Sequence, residues 1–117
     1  MVDDDRQIVR LLRTYLAESG YQALVAYDGE SALHLIRRER PDLVLLDLMM
    51  GDMSGWLVLQ AVKSDARLQH IPVLIVSAKH QMEDPAQAEA CAHLFKGYLV
   101  KPFVVQDLMS QIVEALA

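Results

Sequence analysis

Two short runs, Leu43-Val44-Leu45-Leu46 and Val73-Leu74-Ile75-Val76, are apolar at every position. A half-exposed strand alternates polar and apolar side chains, so runs like these belong to strands covered on both faces. The segments between them carry a helical period instead. Ile8, Leu11, Leu12, Tyr15 and Leu16 follow the i, i+3, i+4, i+7 spacing of one inward helical face, and Gly20 ends that helix. Residues 22–26 read as a short strand. A second helix is predicted over residues 30–40, stopped by Pro41, and Gly55, Val58, Leu59 and Val62 form the inner stripe of a third. Asp84-Pro85 pairs an N-cap with proline at the first helical position and opens a fourth helix. Tyr98-Leu99-Val100 is a strand, and Leu108, Ile112, Ala115 and Leu116 mark the last helix. Strands alternating with helices imply a parallel sheet with right-handed crossovers, hence an α/β doubly wound domain.

Bulk properties narrow the function classes. A length of 117 residues suits one domain. The net charge of −5 argues against binding duplex nucleic acid, which takes a basic face to displace counterions. No apolar run approaches the roughly 20 residues that span a bilayer, and Asp3, Asp4 and Asp5 do not suit a signal or transit peptide. The single cysteine, Cys91, cannot pair within the chain, which fits a reducing, cytoplasmic setting.

In a sheet of this kind ligands bind beyond the carboxyl ends of the strands. The polar residues there are Asp3-Asp4-Asp5 after Val2, Asp47 after the first apolar run, Ser77 after the second, and Lys101 after Val100. Any one of them alone reads as a strand end facing water. Together the set is chemically coherent. Clustered carboxylates suit a hard dication such as Mg²⁺, and a carboxylate can act as a nucleophile and form an aspartyl phosphate. The charge of a phosphoryl group is stabilised by a cation, an ammonium and hydroxyl or backbone donors. Asp47, alone at the end of a buried strand, is the candidate nucleophile.

The segments VDDD (2–5), LVLLDLMM (43–50), VLIVSA (73–78) and GYLVKPF (97–103), in this order, resemble the receiver domain of two-component response regulators. That resemblance implies a flavodoxin-like (βα)5 sheet with strand order 2-1-3-4-5 and a single receiver domain over residues 1–117 without an output domain. It implies Asp47 as phosphoacceptor, and a Mg²⁺ site of Asp4, Asp3 acting largely through water, Asp47 and the Met49 backbone carbonyl. The Ser77 hydroxyl, the Ala78 N–H and Lys101 would hold the phosphoryl group. Ser77 and Tyr98 would form the switch, and Pro102 is the candidate for a cis peptide. The implied partners are a histidine kinase or phosphotransfer protein and a downstream protein target. Neither nucleic acid nor membrane is an expected direct partner, and the domain turns over no external substrate. The signal would leave through residues 86–117, the fourth helix, fifth strand and fifth helix.

Other residues take plainer readings. Asp5 charges the first helix's N-terminus, favourable by roughly 0.3–1 kcal/mol, and Asp52 is solvated. Cys91 and His93 lack partners at zinc spacing. His34, His70 and His80 are scattered, and Met49, Met50 and Met53 are rim packing.

The sequence departs from the receiver pattern chiefly at its start, where only Met1 and Val2 precede the acidic residues. In the implied order that strand lies mid-sheet, so its shortness is expected to leave ladder groups exposed on both neighbours. Each buried, unmatched group costs about 1–3 kcal/mol. A misplaced start codon or a truncation is the expected origin. Two routes to a dimer follow, exchange of a strand between copies or pairing through the fourth helix, fifth strand and fifth helix. Gly51 stands where proline is usual, Leu94-Phe95 where a small pair is common, and Val104 where a polar cap is common. The competing functions are a pseudo-receiver interaction module disabled by the short strand, and a phosphatase of the haloacid dehalogenase class. Asp47-Leu48-Met49 lacks the second aspartate that would serve the latter as acid.

Overall fold

The computed structural model describes residues 1–2, 6–48, 55–77, 94–101 and 103–116, with only the backbone of Ser77. Strands β1 (Val44–Leu46), β2 (Val73–Ser77) and β3 (Gly97–Val100) form a parallel sheet in the order β1-β2-β3. Helices α1 (Arg6–Glu18), α2 (Gly29–Glu39), α3 (Gly55–Ser64) and α4 (Val105–Leu116) surround it. The helix expected after Asp84-Pro85 lies outside the described residues.

The two apolar runs are buried on both faces, as their composition demands. Side chains alternate along each strand, and the core divides accordingly. Val44, Leu46, Val73 and Ile75 point to one face, where they pack with Ala32 and Ile36 of α2 and Val58, Leu59 and Val62 of α3. Leu45, Leu74, Val76 and Leu99 point to the other, against Leu12 and Leu16 of α1 and Leu108 and Ile112 of α4. Two helices per face make the fold doubly wound, and each fully buried aliphatic side chain contributes about 1.5–3 kcal/mol.

Three details differ from the sequence reading. The inward face of α1 is Val9, Leu12 and Leu16, whereas Leu11 is 66% exposed and Tyr15 39%. The helical period was right, but the stripe is centred one residue away, and Leu11 and Tyr15 fall on its solvent flank. Residues 22–26 form no continuous strand; only Ala26 makes a parallel bridge, to Val2. The chain of α2 ends before proline as expected, but its last turn closes on Arg40, whose left-handed backbone (φ 45°) lets its N–H donate to Ile36 C=O. Gly20, at φ 91°, takes the same hand without a side chain to strain.

The short first strand pairs on both sides despite its length. Val2 bridges Ala26 on one side and Leu46 on the other, both parallel. The spatial order is therefore Ala26, Val2, β1, β2, β3, which is 2-1-3-4-5 with the first two members reduced to single bridges. The exposed ladder groups expected on both neighbours are therefore matched at Val2, and Met1 stands next to that pair. There the amino terminus, donating to Leu24 C=O at 2.6 Å, is held by burial down to a pKa of about 6.

Candidate functional site at the carboxyl ends of the strands

Because all pairings are parallel, the carboxyl ends of β1, β2 and β3 share one rim. Asp47 follows β1 directly, and its backbone N–H donates to Val2 C=O at 2.9 Å. That bond ties the residue before the acidic triplet to the candidate nucleophile. Ser77 ends β2 in register with Val100, the last residue of β3, and Lys101 comes next.

Lys101 Nζ lies 3.5 Å from Asp47 Oδ2, with the two side chains 13% and 6% exposed. Strands in a sheet lie about 4.8 Å apart, so the lysine spans roughly two strand spacings, over the end of β2, to make this contact. Asp47 is the buried charged residue among those described, and a carboxylate withdrawn from water needs such a counter-charge. A charged acceptor at a sheet's carboxyl rim, with one ammonium facing it, is equipped to bind cations and to attack an electrophile.

Gly55 completes the support. Its N–H donates to Leu48 C=O at 3.0 Å, seating α3 against the segment that leaves β1. A Cβ there would fall on the Asp47 carbonyl oxygen and within 2.7 Å of Leu48 Cα, so only glycine permits the approach. The sequence reading placed Gly55 in the inner stripe of the helix and missed this role. The available signal was a glycine opening a helix shortly after a strand-end aspartate.

An aromatic row runs from that helix start to β3. Trp56, 4% exposed, lies 5.9 Å from the Phe95 ring, and Phe95 lies 6.0 Å from the Tyr98 ring, edge-on. Tyr98 is half-buried against the α2–α3 core. Phe95, noted as a departure from the receiver pattern, is the link between the other two rings. Of the sequence-predicted residues, Asp47 and Lys101 are brought together, Tyr98 stands on β3, the strand that leads to Lys101, and Ser77 has its backbone on the same rim. Asp3, Asp4, Met49, Ala78 and Pro102 lie outside the described residues.

Residues 1–113 match the family described as the response regulator receiver domain. The response regulator MprA of Mycobacterium leprae is 35% identical over 114 residues, covering 95% of this chain and 47% of the relative. The DNA-binding dual master transcriptional regulator RpaA of Synechocystis is 34% identical over 112 residues, with 96% and 46% coverage. The chain therefore spans about half the length of these curated relatives. Among solved structures, the Vibrio cholerae chemotaxis protein CheY4 superposes with a TM-score of 0.87 at 28% identity, covering 98% of this chain and 94% of that one. The response regulator protein TrrA from Thermotoga maritima, solved in complex with Mg(2+)-BeF, gives 0.85 at 27% identity, with 98% and 95% covered.

Proposed function

Because the chain belongs to the response regulator receiver domain family, we propose that residues 1–117 act as a single phospho-receiver unit, with Asp47 as the phosphoacceptor. The observation that carries this reading is the 3.5 Å approach of Lys101 Nζ to Asp47 Oδ2 in a mostly buried setting. The Asp47 carboxylate attacks the phosphorus of a phosphohistidine on a histidine kinase or phosphotransfer protein. The P–N bond breaks, its electron pair stays on the imidazole nitrogen, and an acyl phosphate forms on Asp47. The Lys101 ammonium then faces a phosphoryl oxygen rather than the free carboxylate. The Ser77 hydroxyl and the Ala78 N–H add donors, and Tyr98 turns inward as Ser77 moves.

The donor set fits Mg²⁺. Asp47 is a hard oxygen ligand held at the rim, and Val2, paired beside Leu46, leads directly into the acidic residues. Asp4, Asp47 and the Met49 carbonyl would hold the ion directly, and Asp3 through water. Bound there, Mg²⁺ supplies neutralisation of the charge that builds on the phosphoryl oxygens. The scheme turns over no external substrate, and its output is a changed surface at residues 86–117. The whole chain carries a net charge of −5, and it is proposed to act through protein partners rather than on nucleic acid directly. Among the described residues, no helix is long and apolar enough to cross a membrane.

Incubation with acetyl phosphate and Mg²⁺ tests the reading by intact mass. A gain of one phosphoryl group is expected, and Asp47→Asn abolishes it. An unmodified wild-type protein rejects the proposal and leaves the pseudo-receiver alternative in its place.

A further inference from the structure

Lys63 stands in the last turn of α3. Its ammonium donates to Gln69 C=O at 3.0 Å and to Ile71 C=O at 2.5 Å, which clips the loop leading into β2. An ammonium carries three protons, so one donor remains after these two bonds. Lys96 immediately precedes β3, and its N–H donates to Val73 C=O at 2.8 Å, pinning its backbone beside the start of β2. Both lysines line a cavity of about 670 Å³ that opens to solvent, and His70 stands on the same lining. Pro72, Leu94 and Phe95 supply its apolar wall.

Two ammonium groups on one cavity repel each other. Burial, and after it the Lys96 charge, hold the Lys63 pKa below its ordinary value. Among the described residues, no carboxylate forms an ion pair with either lysine. The fold thus keeps two like charges together, an arrangement that an anion from solution relieves. The apolar wall is held in advance of any ligand. Phe95 is fixed between the Trp56 ring at 5.9 Å and the Tyr98 ring at 6.0 Å.

We propose that this cavity binds a small phosphomonoester, its phosphate dianion between Lys63 and Lys96 and its apolar body against Phe95, Leu94 and Pro72. Two cations on one cavity select a doubly charged anion, because a single carboxylate offsets only one of them. Lysine holds phosphate as a point charge and demands no bidentate geometry, and His70 adds a ring nitrogen donor. A cavity of this volume, apolar with a few polar groups, suits a small molecule. The site is independent of the phosphoryl chemistry proposed above. Pro72 and Lys96 lie at the amino ends of β2 and β3, whereas Asp47 and Lys101 lie at the carboxyl ends of their strands.

The test titrates the full chain, in the presence of chelator, with phenylphosphonate, whose P–C bond rules out transfer to Asp47. Benzoate offers the same ring with one charge, and inorganic phosphate offers the charge without the ring. Calorimetry gives affinity, and amide chemical shifts locate the ligand. The expected result is saturable binding of phenylphosphonate and at least tenfold weaker binding of both comparators. The largest shifts are expected at residues 69–73 and 95–97. Lys96→Met weakens phenylphosphonate binding at least tenfold without lowering the urea midpoint, because it also removes a repulsion. Lys63 stays unaltered in this test, since it holds the loop. Absence of saturable binding, a comparator that binds as well, or undiminished binding to Lys96→Met overturns the proposal. So do largest shifts at Val100 and Lys101, which would assign the ligand to the other end of the sheet. The comparators and the shifts use the unaltered protein and decide the matter even where Lys96→Met does not fold.

Discussion

Lys101, one residue beyond β3, passes over the end of the intervening strand to bring its ammonium within 3.5 Å of Asp47 on β1. Two residues 54 apart in sequence thus form one charged unit. In a mostly buried setting its attraction is screened less than on the surface. Replacing Lys101 by Met removes the cation that would face the phosphoryl oxygens. Phosphorylation of Asp47 from acetyl phosphate is expected to slow at least tenfold, which corresponds to about 1.4 kcal/mol of barrier. Rates followed by intact mass check this, and an unchanged rate would remove Lys101 from the proposed site.

Trp56 offers a test of the proposed metal site. It follows Gly55, whose N–H holds the segment leaving β1, and it is itself buried. Its emission is expected to change saturably as Mg²⁺ is added and to return with excess chelator. Asp4→Asn should weaken the apparent affinity at least tenfold, by deleting a carboxylate proposed to ligate the ion directly. Fluorescence that ignores Mg²⁺ throughout the millimolar range contradicts the proposed ligand set.

Gly55→Ala places a methyl group on the Asp47 carbonyl oxygen. Backbone, not a pliable side chain, must give way, so a loss of about 1–3 kcal/mol is expected, as for other overpacked sites. Urea unfolding measures it. Phosphoryl acceptance should fall as well, because the displaced backbone is that of the proposed nucleophile. A variant as stable as the wild type would show that the α3 start does not bear on Asp47.

Arg40→Gly should stabilise the chain. Arg40 closes α2 at φ 45°, a conformation that costs L-residues roughly 1–2 kcal/mol and glycine little. Part of the gain is returned through the freer unfolded chain, leaving about 0.5–1 kcal/mol. The expected readout is a higher urea midpoint with an unchanged slope, and a lower midpoint would refute the assignment of strain.

The strands at 44–46 and 73–77 were legible because full burial on two faces demands uninterrupted apolar side chains. The inner stripe of α3 was legible because Gly55, Val58, Leu59 and Val62 repeat at helical spacing. The face of α1 was less so. Its apolar residues cover more than one side, and Leu11 and Tyr15 satisfy the period while facing water. The segment at 22–26 resembled a strand because its composition allows one, but pairing depends on a neighbour, and Val2 provides only one bridge there. Gly55 and Arg40 were misread because close approach and backbone hand are properties of what lies across a gap, invisible to spacing along the chain.

From the sequence alone came the alternation of strands and helices, the class of sheet, and the residue types waiting at the strand ends. These follow from local rules, since burial, period and capping act over a few neighbours. The tertiary structure decided which of those ends meet. It brought Lys101 across β2 to Asp47 and set Met1 and Val2 between the two halves of the sheet. Those outcomes depend on parallel register and on distances between segments far apart in the chain, and no local preference encodes them.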